Sequence, residues 1–399
     1  MQPFSNIRVI DLTHVIAGPF CTYQLAVLGA DVIKIEPPGA PDMVRQEGHD
    51  PDRASQGMGT IFMTQNANKR SIAVDLKTSE GREIVLKLLQ DADVMVENHR
   101  PGAMQKLGLG YQEVKAIRPD IIYCSLSGYG QEGPIAERTA YDNVIQAMSG
   151  LMASTGTPDS GPVKVGPPVL DYGTGVQAAF AISAALYHRS ITGQGQRIDI
   201  AMLDAAIMLS STSATLFHES KNPPDRIGNS SAGNAGYGCF NTANGLIMIG
   251  AYTGEQLYNA WRVMGDVAHG AHLRHFPAYK MKQFLESDRP RIALIMMTDD
   301  ANSWELKFNQ AKVPAARVRC IDETLNLPQL VAREVMQTVN TDKGQVSLPT
   351  AAFKFEHGGP KLENPPPHHG EHTIEVLKQA GYEKEKIEEI LQSGVAKAL

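Results

Sequence analysis

One aspartate stands where its carboxylate could do covalent chemistry. Asp171 follows a short apolar segment at 167–170 and precedes Gly173, Gly175 and an alanine-rich stretch, which predicts a strand-to-helix turn. A helix N-terminus stabilises a negative charge, and glycines leave room for a bulky acyl group to approach. The carboxylate could therefore act as a nucleophile, although position alone favours an ordinary helix N-cap.

The first strand-to-helix turn lacks the glycine pattern of a dinucleotide-binding site. Residues 13–19 contain Gly18 but lack the three spaced glycines that bring a backbone close to a pyrophosphate. The sequence has no Walker-type loop with Lys-Ser or Lys-Thr either. These features disfavour a nicotinamide or flavin oxidoreductase and a nucleotide hydrolase.

The elements that must position these residues begin as alternating strands and helices. The apolar pattern predicts helices at 19–28 and 79–90 between strands at 7–12, 32–35, 71–76, 94–96 and 121–126. This order is typical of an α/β fold with a parallel sheet. Farther on the spacing becomes helical, and Asp204 is placed inside a helix at 198–209 as a structural or interface residue.

A change in composition predicts two domains. Residues 222–243 are rich in Gly, Asn, Ser and Pro, and the following hundred residues show one clear strand, at 246–250. A further strand is expected at 352–355. The predicted bounds are a large domain at 1–205 and 330–399, a small domain at 222–325, and linkers at 206–221 and 326–329.

Composition narrows the possible partners. The formal net charge of -6, without a basic stretch, argues against a nucleic acid. The four cysteines are widely spaced and form no CxxC pair, so no metal site is predicted and a reducing compartment is expected. Because no signal or spanning segment is recognised, we expect a cytoplasmic protein without a membrane role.

Nine segments of the chain, in order and spacing, resemble the family III coenzyme A transferases. They are THVIAGP (13–19), GADVIKIE (29–36), NKRS (68–71), VEN (96–98), SGYG (127–130), Tyr141-Asp142, DYGTG (171–175), GQGQ (193–196) and GEHT (370–373). Single pieces carry little information, but a register kept over nearly the whole chain favours membership over chance.

The resemblance implies both an architecture and a reaction. The architecture is an interlocked, linked-ring homodimer with a Rossmann-like large domain built from both chain ends and a smaller α+β domain. The reaction moves CoA from an acyl-CoA to a free carboxylic acid. Asp171 would attack the donor thioester, form a mixed anhydride, and then carry CoA as an aspartyl thioester. CoA is then a substrate, and neither a tightly bound cofactor nor a metal is expected.

The resemblance also implies two sets of binding residues. The acyl and oxyanion set is Tyr141, Gly236, Gly238, Ile16 and His14. The CoA set is Arg45, Lys69, Arg70, Asn98, His99, Arg100 and Lys106, with Arg45 expected to compensate for Pro37 where the family has Arg. Only three of the six residues at 233–238 are Gly, whereas formyl-CoA transferases carry a run of glycines there, so a covering loop and a simple turn both stay open.

The acyl substrate is less constrained than the reaction. Ile16 stands where formyl-CoA transferases carry Gln, which favours a larger or less polar acyl group than formate or oxalate. Succinyl-CoA is a possible donor, and short dicarboxylates (succinate, glutarate, itaconate or mesaconate) or a carnitine-like acid are possible acceptors.

Two other functions stay open. A 2-methylacyl-CoA racemase needs two acid/base groups, and Tyr141-Asp142 replaces the His-Asp pair of those enzymes, so one base is missing. A non-catalytic acyl-CoA binding protein would not need Asp171.

Overall fold

The computed structural model describes residues 1–399, apart from the side chain of Ala278. Its strands, in chain order, are β1 (Arg8–Leu12), β2 (Asp31–Glu36), β3 (Lys69–Val74), β4 (Val94–Glu97), β5 (Ile122–Ser127), β6 (Gly156–Thr157), β7 (Gly161–Pro162), β8 (Gln196–Ala201), β9 (Tyr237–Asn241), β10 (Leu246–Gly250), β11 (Ala315–Arg317), β12 (Met336–Thr341), β13 (Gly344–Pro349) and β14 (Ala396–Lys397).

Helices connect most of these strands. They are α1 (Ala17–Ala26), α2 (Pro51–Ser55), α3 (Thr60–Met63), α4 (Ser79–Leu89), α5 (Ala103–Lys106), α6 (Tyr111–Ile117), α7 (Asp142–Met148), α8 (Leu151–Ser154), α9 (Val169–Thr192), α10 (Met202–Leu209), α11 (Ser211–Ser220), α12 (Gly254–Val263), α13 (Val267–Arg274), α14 (Leu285–Met296), α15 (Ala301–Gln310), α16 (Ile321–Leu325), α17 (Pro328–Arg333), α18 (Thr373–Gln379) and α19 (Lys384–Gln392). Short 3₁₀ helices occupy Met43–Gln46 and Ala278–Phe284.

The chain divides into two compact units. The first comprises Met1–Met152, Lys164–Pro223 and Ala332–Leu399, and the second comprises Ala153–Val163 and Pro224–Val331. Residues 153–163, predicted in the large domain, thus group with the second unit. Residues 206–221, predicted as a linker, form part of α10 and all of α11 in the first unit.

The first unit is a mixed α/β structure around one large sheet. The strand order is β14-β3-β2-β1-β4-β5-β8, and every pairing is parallel except that of β14 with β3. Neighbouring β1 residues pack on opposite faces: Val9 joins the apolar cluster with α1 and α9, and Ile10 joins the cluster with α4. The sheet is therefore covered by helices on both faces, as parallel sheets require.

Helix α9 is the long helix of the first unit. It packs against α1, β5 and β8, and buries Leu170, Ala178, Ile182 and Ala185 along one face. Among the described helices it is the one whose length and composition would suffice to cross a bilayer. Its buried face is that of a core helix, and the opposite face is apolar and exposed.

The second unit has a smaller core. Strands β11, β10 and β9 form an antiparallel sheet, in which Ile247 pairs with Phe240. These residues pack with Trp261 of α12 and with Trp304 and Phe308 of α15. Helix α12 begins with a capping box formed by Thr253 and Gln256.

The structure corrects three predicted elements. The helix predicted at 198–209 is strand β8 followed by α10, so Asp204 lies in the first turn of a helix. The strand predicted at 352–355 is absent from the described chain, and the hairpin β12–β13 precedes it. No strand leads into Asp171, because Pro167 and Pro168 come directly before α9 and cannot donate to a strand ladder.

Candidate active site

Asp171 lies in the first turn of α9, beside a second carboxylate. Its backbone N–H donates to Oδ2 of Asp142 at 3.1 Å, and that of Leu170 donates to the same oxygen at 2.7 Å. Asp142, at the start of α7, thus caps the N-terminus of α9. The sequence analysis considered only Asp171 for this capping role. Within the described residues, the Asp171 side chain forms no hydrogen bond of its own, and it lines a cavity.

The surroundings of Asp171 favour its neutral form. Burial, and secondly the charge of Asp142, raise the pKa of Asp171 from 3.8 to about 7. Asp142 is itself held by Nε2 of Gln146, whose Oε1 accepts the backbone N–H of Val165 at 2.9 Å. The two carboxylates are therefore fixed near each other by a network that includes three backbone amides.

The loop between β1 and α1 forms another wall of the same cavity. Val15 has φ +67°, a backbone conformation that is strained for a β-branched residue. Its N–H donates to Asp42 at 3.1 Å, while Asn98 accepts the N–H of His14 at 2.9 Å and donates to the His14 carbonyl at 2.8 Å. Lys34 donates to the carbonyl of Thr13 at 2.7 Å. Side chains from separate elements thus hold the strained loop in place.

Beneath this loop lie buried ion pairs. Lys69 Nζ contacts Asp11 at 3.0 Å, and Arg45 binds Glu36 through two hydrogen bonds of 2.8 and 2.6 Å. Burial opposes ionisation of Glu36, but the hydrogen bond from Arg45 and the charges of Lys34 and Arg45 outweigh it and lower the pKa to about 2. The exposed fractions of Arg45 and Lys69 are 1% and 2%. Both predicted CoA cations are therefore committed to internal carboxylates.

Two adjoining cavities connect Asp171 to the surface of the first unit. The inner cavity, of about 100 Å³, contains Asp171 and Thr174 among apolar residues of α1, β5 and α10. The outer cavity, of about 580 Å³, has Arg100 and Arg138 in its wall. Both cavities are lined by His14, Asn98, Ser127, Gly128, Ala140 and Tyr141. The cleft thus runs from two exposed arginines to a half-buried carboxylate.

Two histidines lie along this cleft. The rings of His14 and His99 are 5.2 Å apart between centroids. Burial lowers the pKa of His14, and burial together with the neighbouring His14 lowers the pKa of His99 to about 4. Both imidazoles are neutral at pH 7, so they can donate or accept hydrogen bonds without adding charge.

The cleft brings together a part of the predicted site. Asp171, Tyr141, His14 and Asn98 line the inner cavity, and His99 and Arg100 line the outer one. Ile16 is the residue before α1, between the lining residues Val15 and Ala17. Asn98 reaches the cleft, but its side-chain amide is used to hold the His14 backbone.

Other predicted residues lie elsewhere. Lys106 ends α5 at the surface, and Arg70 binds Asp31 at 2.7 Å and Glu375 at 3.1 Å. Gly236 and Gly238 belong to the second unit, where the N–H of Gly236 donates to Oδ1 of Asn234 at 2.8 Å and Gly238 pairs with Ile249 in the sheet. Within the described residues, no group of His, Cys, Asp and Glu side chains is arranged to hold a metal ion.

Sequence reasoning missed the roles of two residues of the cleft and of one residue beside it. Asp142 entered through the family segment Tyr141-Asp142 and the comparison with the racemases, without a role in capping α9, whereas Arg138 and Thr174 were given no role. Thr174 had a usable signal, since a position three residues after Asp171 on a helix lies on the same face. Arg138 had none, because it lies in an irregular loop whose direction the sequence does not specify.

Comparison with known proteins identifies the family of the chain. The model of CoA-transferase family III matches residues 4–373. Succinyl-CoA:glutarate CoA-transferase from Mus musculus is 34% identical over 99% of this chain and 90% of its own length. Succinyl-CoA:mesaconate CoA-transferase from Haloarcula hispanica is 34% identical over 96% and 97%.

A solved structure extends the agreement to the fold. A CAIB/BAIF family protein from Brucella suis superimposes with a TM-score of 0.82 at 30% identity, over 95% of this chain and 99% of that one. The match covers the strands, helices and loops that build the cleft, and the curated relatives are named as enzymes of one reaction class. The chain therefore belongs to CoA-transferase family III and is an acyl-CoA:carboxylate CoA-transferase.

Proposed function

We propose that this enzyme transfers CoA from succinyl-CoA to a short dicarboxylic acid, with Asp171 as the covalent nucleophile. The observation that carries the proposal is the position of Asp171 at the inner end of a cleft that begins at Arg100 and Arg138. The mouse and Haloarcula relatives are named for succinyl-CoA as donor and for glutarate or mesaconate as acceptor. Both acceptors are small dicarboxylates, which suits an inner cavity of about 100 Å³.

The proposed chemistry balances without an external reagent. An Asp171 oxygen attacks the thioester carbon, the C–S bond breaks, and CoA leaves as the thiolate, giving a mixed anhydride. The thiolate then attacks the Asp171 carbonyl carbon, which breaks the C–O bond and releases the donor acid as a carboxylate. The acceptor carboxylate attacks the aspartyl-CoA thioester, which breaks its C–S bond, frees the thiolate and gives a second mixed anhydride. The thiolate then attacks the acceptor's acyl carbon in that anhydride, which breaks the C–O bond to Asp171, forms the new acyl-CoA and restores the Asp171 carboxylate. Each acyl bond is exchanged for another activated bond, so no ATP is consumed.

The cleft supports a particular orientation of CoA. Arg100 and Arg138 are exposed in the outer cavity, and neither forms an ion pair in the described part of the chain, so they can meet the CoA phosphates. His99 lines the outer cavity with them, and Lys106 follows six residues after Arg100, at the end of α5. Arg45 and Lys69 are left out of this proposal, because their charges are already neutralised in the core.

The inner cavity supports a role for the predicted acyl residues. Tyr141 and His14 line it with hydrogen-bonding side chains, and Ile16 adjoins it with an apolar one. Apolar side chains of Ala17, Leu126, Ala140 and Met202 form part of the remaining wall, beside the polar Asn98, Ser127 and Thr174. The apolar part limits the access of water to an anhydride, which would otherwise be hydrolysed. Gly236 is not proposed as an oxyanion donor, because its N–H is bonded to Asn234.

An exposed apolar face supports assembly as a homodimer. Along α9, the exposed fractions of Val176, Phe180, Tyr187 and Ile191 are 51%, 70%, 70% and 67%. Exposed apolar residues continue on α10 and α11: Ile207, Met208, Leu209, Leu216 and Phe217. A contiguous surface of this kind is typical of a protein interface. We propose that a second copy covers it in the interlocked arrangement that the family resemblance implies.

The four free cysteines are consistent with a reducing, cytoplasmic compartment, which we also propose.

The reaction can be tested with defined thioesters. Succinyl-CoA is incubated with the enzyme and a panel of acids (glutarate, mesaconate, itaconate, oxalate and carnitine), and new acyl-CoA species are followed by mass spectrometry. The proposal predicts a new thioester with wild-type enzyme and none with Asp171→Ala. Hydroxylamine trapping of the enzyme with succinyl-CoA alone should modify Asp171. New thioesters formed by Asp171→Ala would refute the mechanism.

The same experiment separates the alternatives. Loss of an α-hydrogen to deuterated water from a branched acyl-CoA, without exchange of CoA, would support a racemase. Binding of CoA without either reaction would support a non-catalytic acyl-CoA binding protein.

A further inference from the structure

Thr174 is an unpartnered buried hydroxyl in the wall of the inner cavity. Its exposed fraction is 1%, and Oγ1 has no hydrogen-bond partner in the part of the chain that the structure describes. It lies on α9 three residues after Asp171, and both residues line the same cavity. A buried hydroxyl without a partner destabilises a fold, so its presence here calls for a physical reason.

Thr174 is the exception among the buried threonines. Each of the others donates its hydroxyl to an internal acceptor: Thr13 and Thr22 to Asp11, Thr242 to Gly245, Thr350 to Val335 and Thr373 to Lys397. Even on α9, Ser183 bonds the carbonyl of Ala179 four residues earlier, at 2.7 Å. Thr174 makes no such bond to Leu170, so the donor capacity of its hydroxyl is unused.

We infer that the Thr174 hydroxyl donates a hydrogen bond to the carbonyl oxygen of the acyl group that reacts with Asp171. The inference rests on the proposed function. Residues at i and i+3 of a helix have Cβ atoms roughly 5–6 Å apart, so an acyl group bonded to Asp171 lies within reach of this hydroxyl. Thr174 and Asp171 are also the polar side chains that α9 contributes to the cavity.

The hydrogen bond from Thr174 to the acyl carbonyl oxygen gains strength as the reaction proceeds. When Asp171 attacks, the π electrons of the acyl C=O move onto its oxygen, and they return when the C–S bond breaks and the thiolate leaves. No proton is transferred from Thr174. A donor fixed beside that oxygen inside the cavity stabilises the negative charge that develops there. Thr174 is therefore a catalytic residue that stabilises the charge developing in the transition state and does not contribute to substrate affinity.

The matched variants are Thr174→Val, which keeps the side-chain shape without the hydroxyl, and Thr174→Ser, which keeps the hydroxyl. With succinyl-CoA and the best acceptor, Thr174→Val is expected to lower kcat on the order of 100-fold and to leave KM for succinyl-CoA nearly unchanged. Thr174→Ser should retain kcat within a few-fold. Because no internal hydrogen bond is lost, the Tm of Thr174→Val should equal or exceed that of the wild type.

A second substitution controls for a structural role. Thr22 is also buried, but its hydroxyl donates to Asp11 at 2.7 Å, so Thr22→Val should lower the Tm. If Thr174→Val instead lowers the Tm as Thr22→Val does, or if Thr174→Ser loses as much kcat as Thr174→Val, Thr174 has a structural role and the inference is wrong. If the wild type transfers CoA and the kcat of Thr174→Val is unchanged, the inference is also wrong, but the proposed function stands. A wild-type enzyme without any transfer activity overturns both.

Discussion

One oxygen of Asp142 accepts hydrogen bonds from the backbone N–H groups of Leu170 and Asp171, at 2.7 and 3.1 Å. A carboxylate from the start of α7 therefore fixes the first turn of α9, and its charge lies close to the nucleophile. The same contact positions Asp171 and makes Asp171 harder to ionise. Structure and reactivity are thus connected at this pair of residues.

The wild-type enzyme should gain activity as the pH rises through about 7. Burial and the Asp142 charge raise the pKa of Asp171 to about 7, and only the ionised carboxylate attacks a thioester. We expect kcat/KM for succinyl-CoA to rise about tenfold per pH unit below this pKa and to level off above it. The measurement is kcat/KM from pH 5.5 to 9. A profile that is flat between pH 5.5 and 7 would contradict the assigned pKa.

Asp142→Asn should move this profile to lower pH. The amide oxygen can still accept the backbone N–H groups, but the repulsive charge is removed, so the pKa of Asp171 falls. It should not fall to the ordinary value, since burial is the larger cause. The pH profiles of wild type and Asp142→Asn are compared under identical conditions. An unshifted profile in Asp142→Asn would show that the charge of Asp142 does not raise the pKa of Asp171.

The early part of the fold was predictable because its signals are local. Strands buried on both faces, such as β1 and β2, carry runs of apolar, mostly β-branched residues interrupted only by Asp11 and Lys34, and their predicted bounds lie within one or two residues of the observed ones. Strand β8 was missed because most of its residues are exposed or half-buried, so its sequence lacks that run. The hairpin β12–β13 was missed for the same reason.

The candidate site was predictable in its residue types but not in its pairings. The family motifs located Asp171 and Tyr141, which do line one cavity. The sequence also showed that Lys69 and Arg45 are cations, but not that Asp11 and Glu36 lie beside them, because each pair is formed by chain segments brought together by folding. Arg138 was overlooked because a cation in an irregular loop has no periodic pattern that shows in which direction its side chain points.

Removing the charge of Asp171 should stabilise the protein, and more so at high pH. A carboxyl with a pKa of about 7 in the fold and 3.8 as its ordinary value destabilises the folded state as the pH rises from about 4 to about 7, and that loss is complete above pH 7. Asp171→Asn removes this loss. Its Tm should exceed that of the wild type at pH 8, with little difference at pH 4.5. Equal Tm values for the two proteins at pH 8 would show that the site does not disfavour the charge.

Substitution of Arg45 should lower the free energy of unfolding, whereas substitution of Arg138 should leave it unchanged. Arg45 is buried, binds Glu36 through two hydrogen bonds and lies 3.6 Å from the centre of the Phe62 ring. Arg45→Met leaves a buried carboxylate without its partner, which is expected to cost about 3–5 kcal/mol of folding free energy. Arg138→Met removes only an exposed cation, so the free energy of unfolding should be unchanged within about 0.5 kcal/mol.

The same two variants test the assignment of the CoA cations. If Arg138 contacts a CoA phosphate, its loss should raise KM for succinyl-CoA about tenfold without lowering kcat. Urea unfolding and steady-state kinetics at two salt concentrations provide the measurements, since a phosphate contact weakens as salt is added. A stable Arg45→Met enzyme with a raised KM would restore Arg45 to the CoA site and remove Arg138 from it.

The exposed face of α9 should be required for assembly. Phe180 lies near the middle of that face with an exposed fraction of 70%, and Phe180→Glu places a charge where the proposed second copy packs. Light scattering after gel filtration should give the mass of a dimer for the wild type and of a monomer or aggregate for Phe180→Glu. Leu306→Glu is the matched control, because Leu306 on α15 is 60% exposed and is flanked by Glu305 and Lys307 instead of apolar neighbours. A wild-type monomer, or a Phe180→Glu protein that stays a dimer, would show that this face does not form the interface. Loss of the dimer in both variants would point to general destabilisation and not to α9.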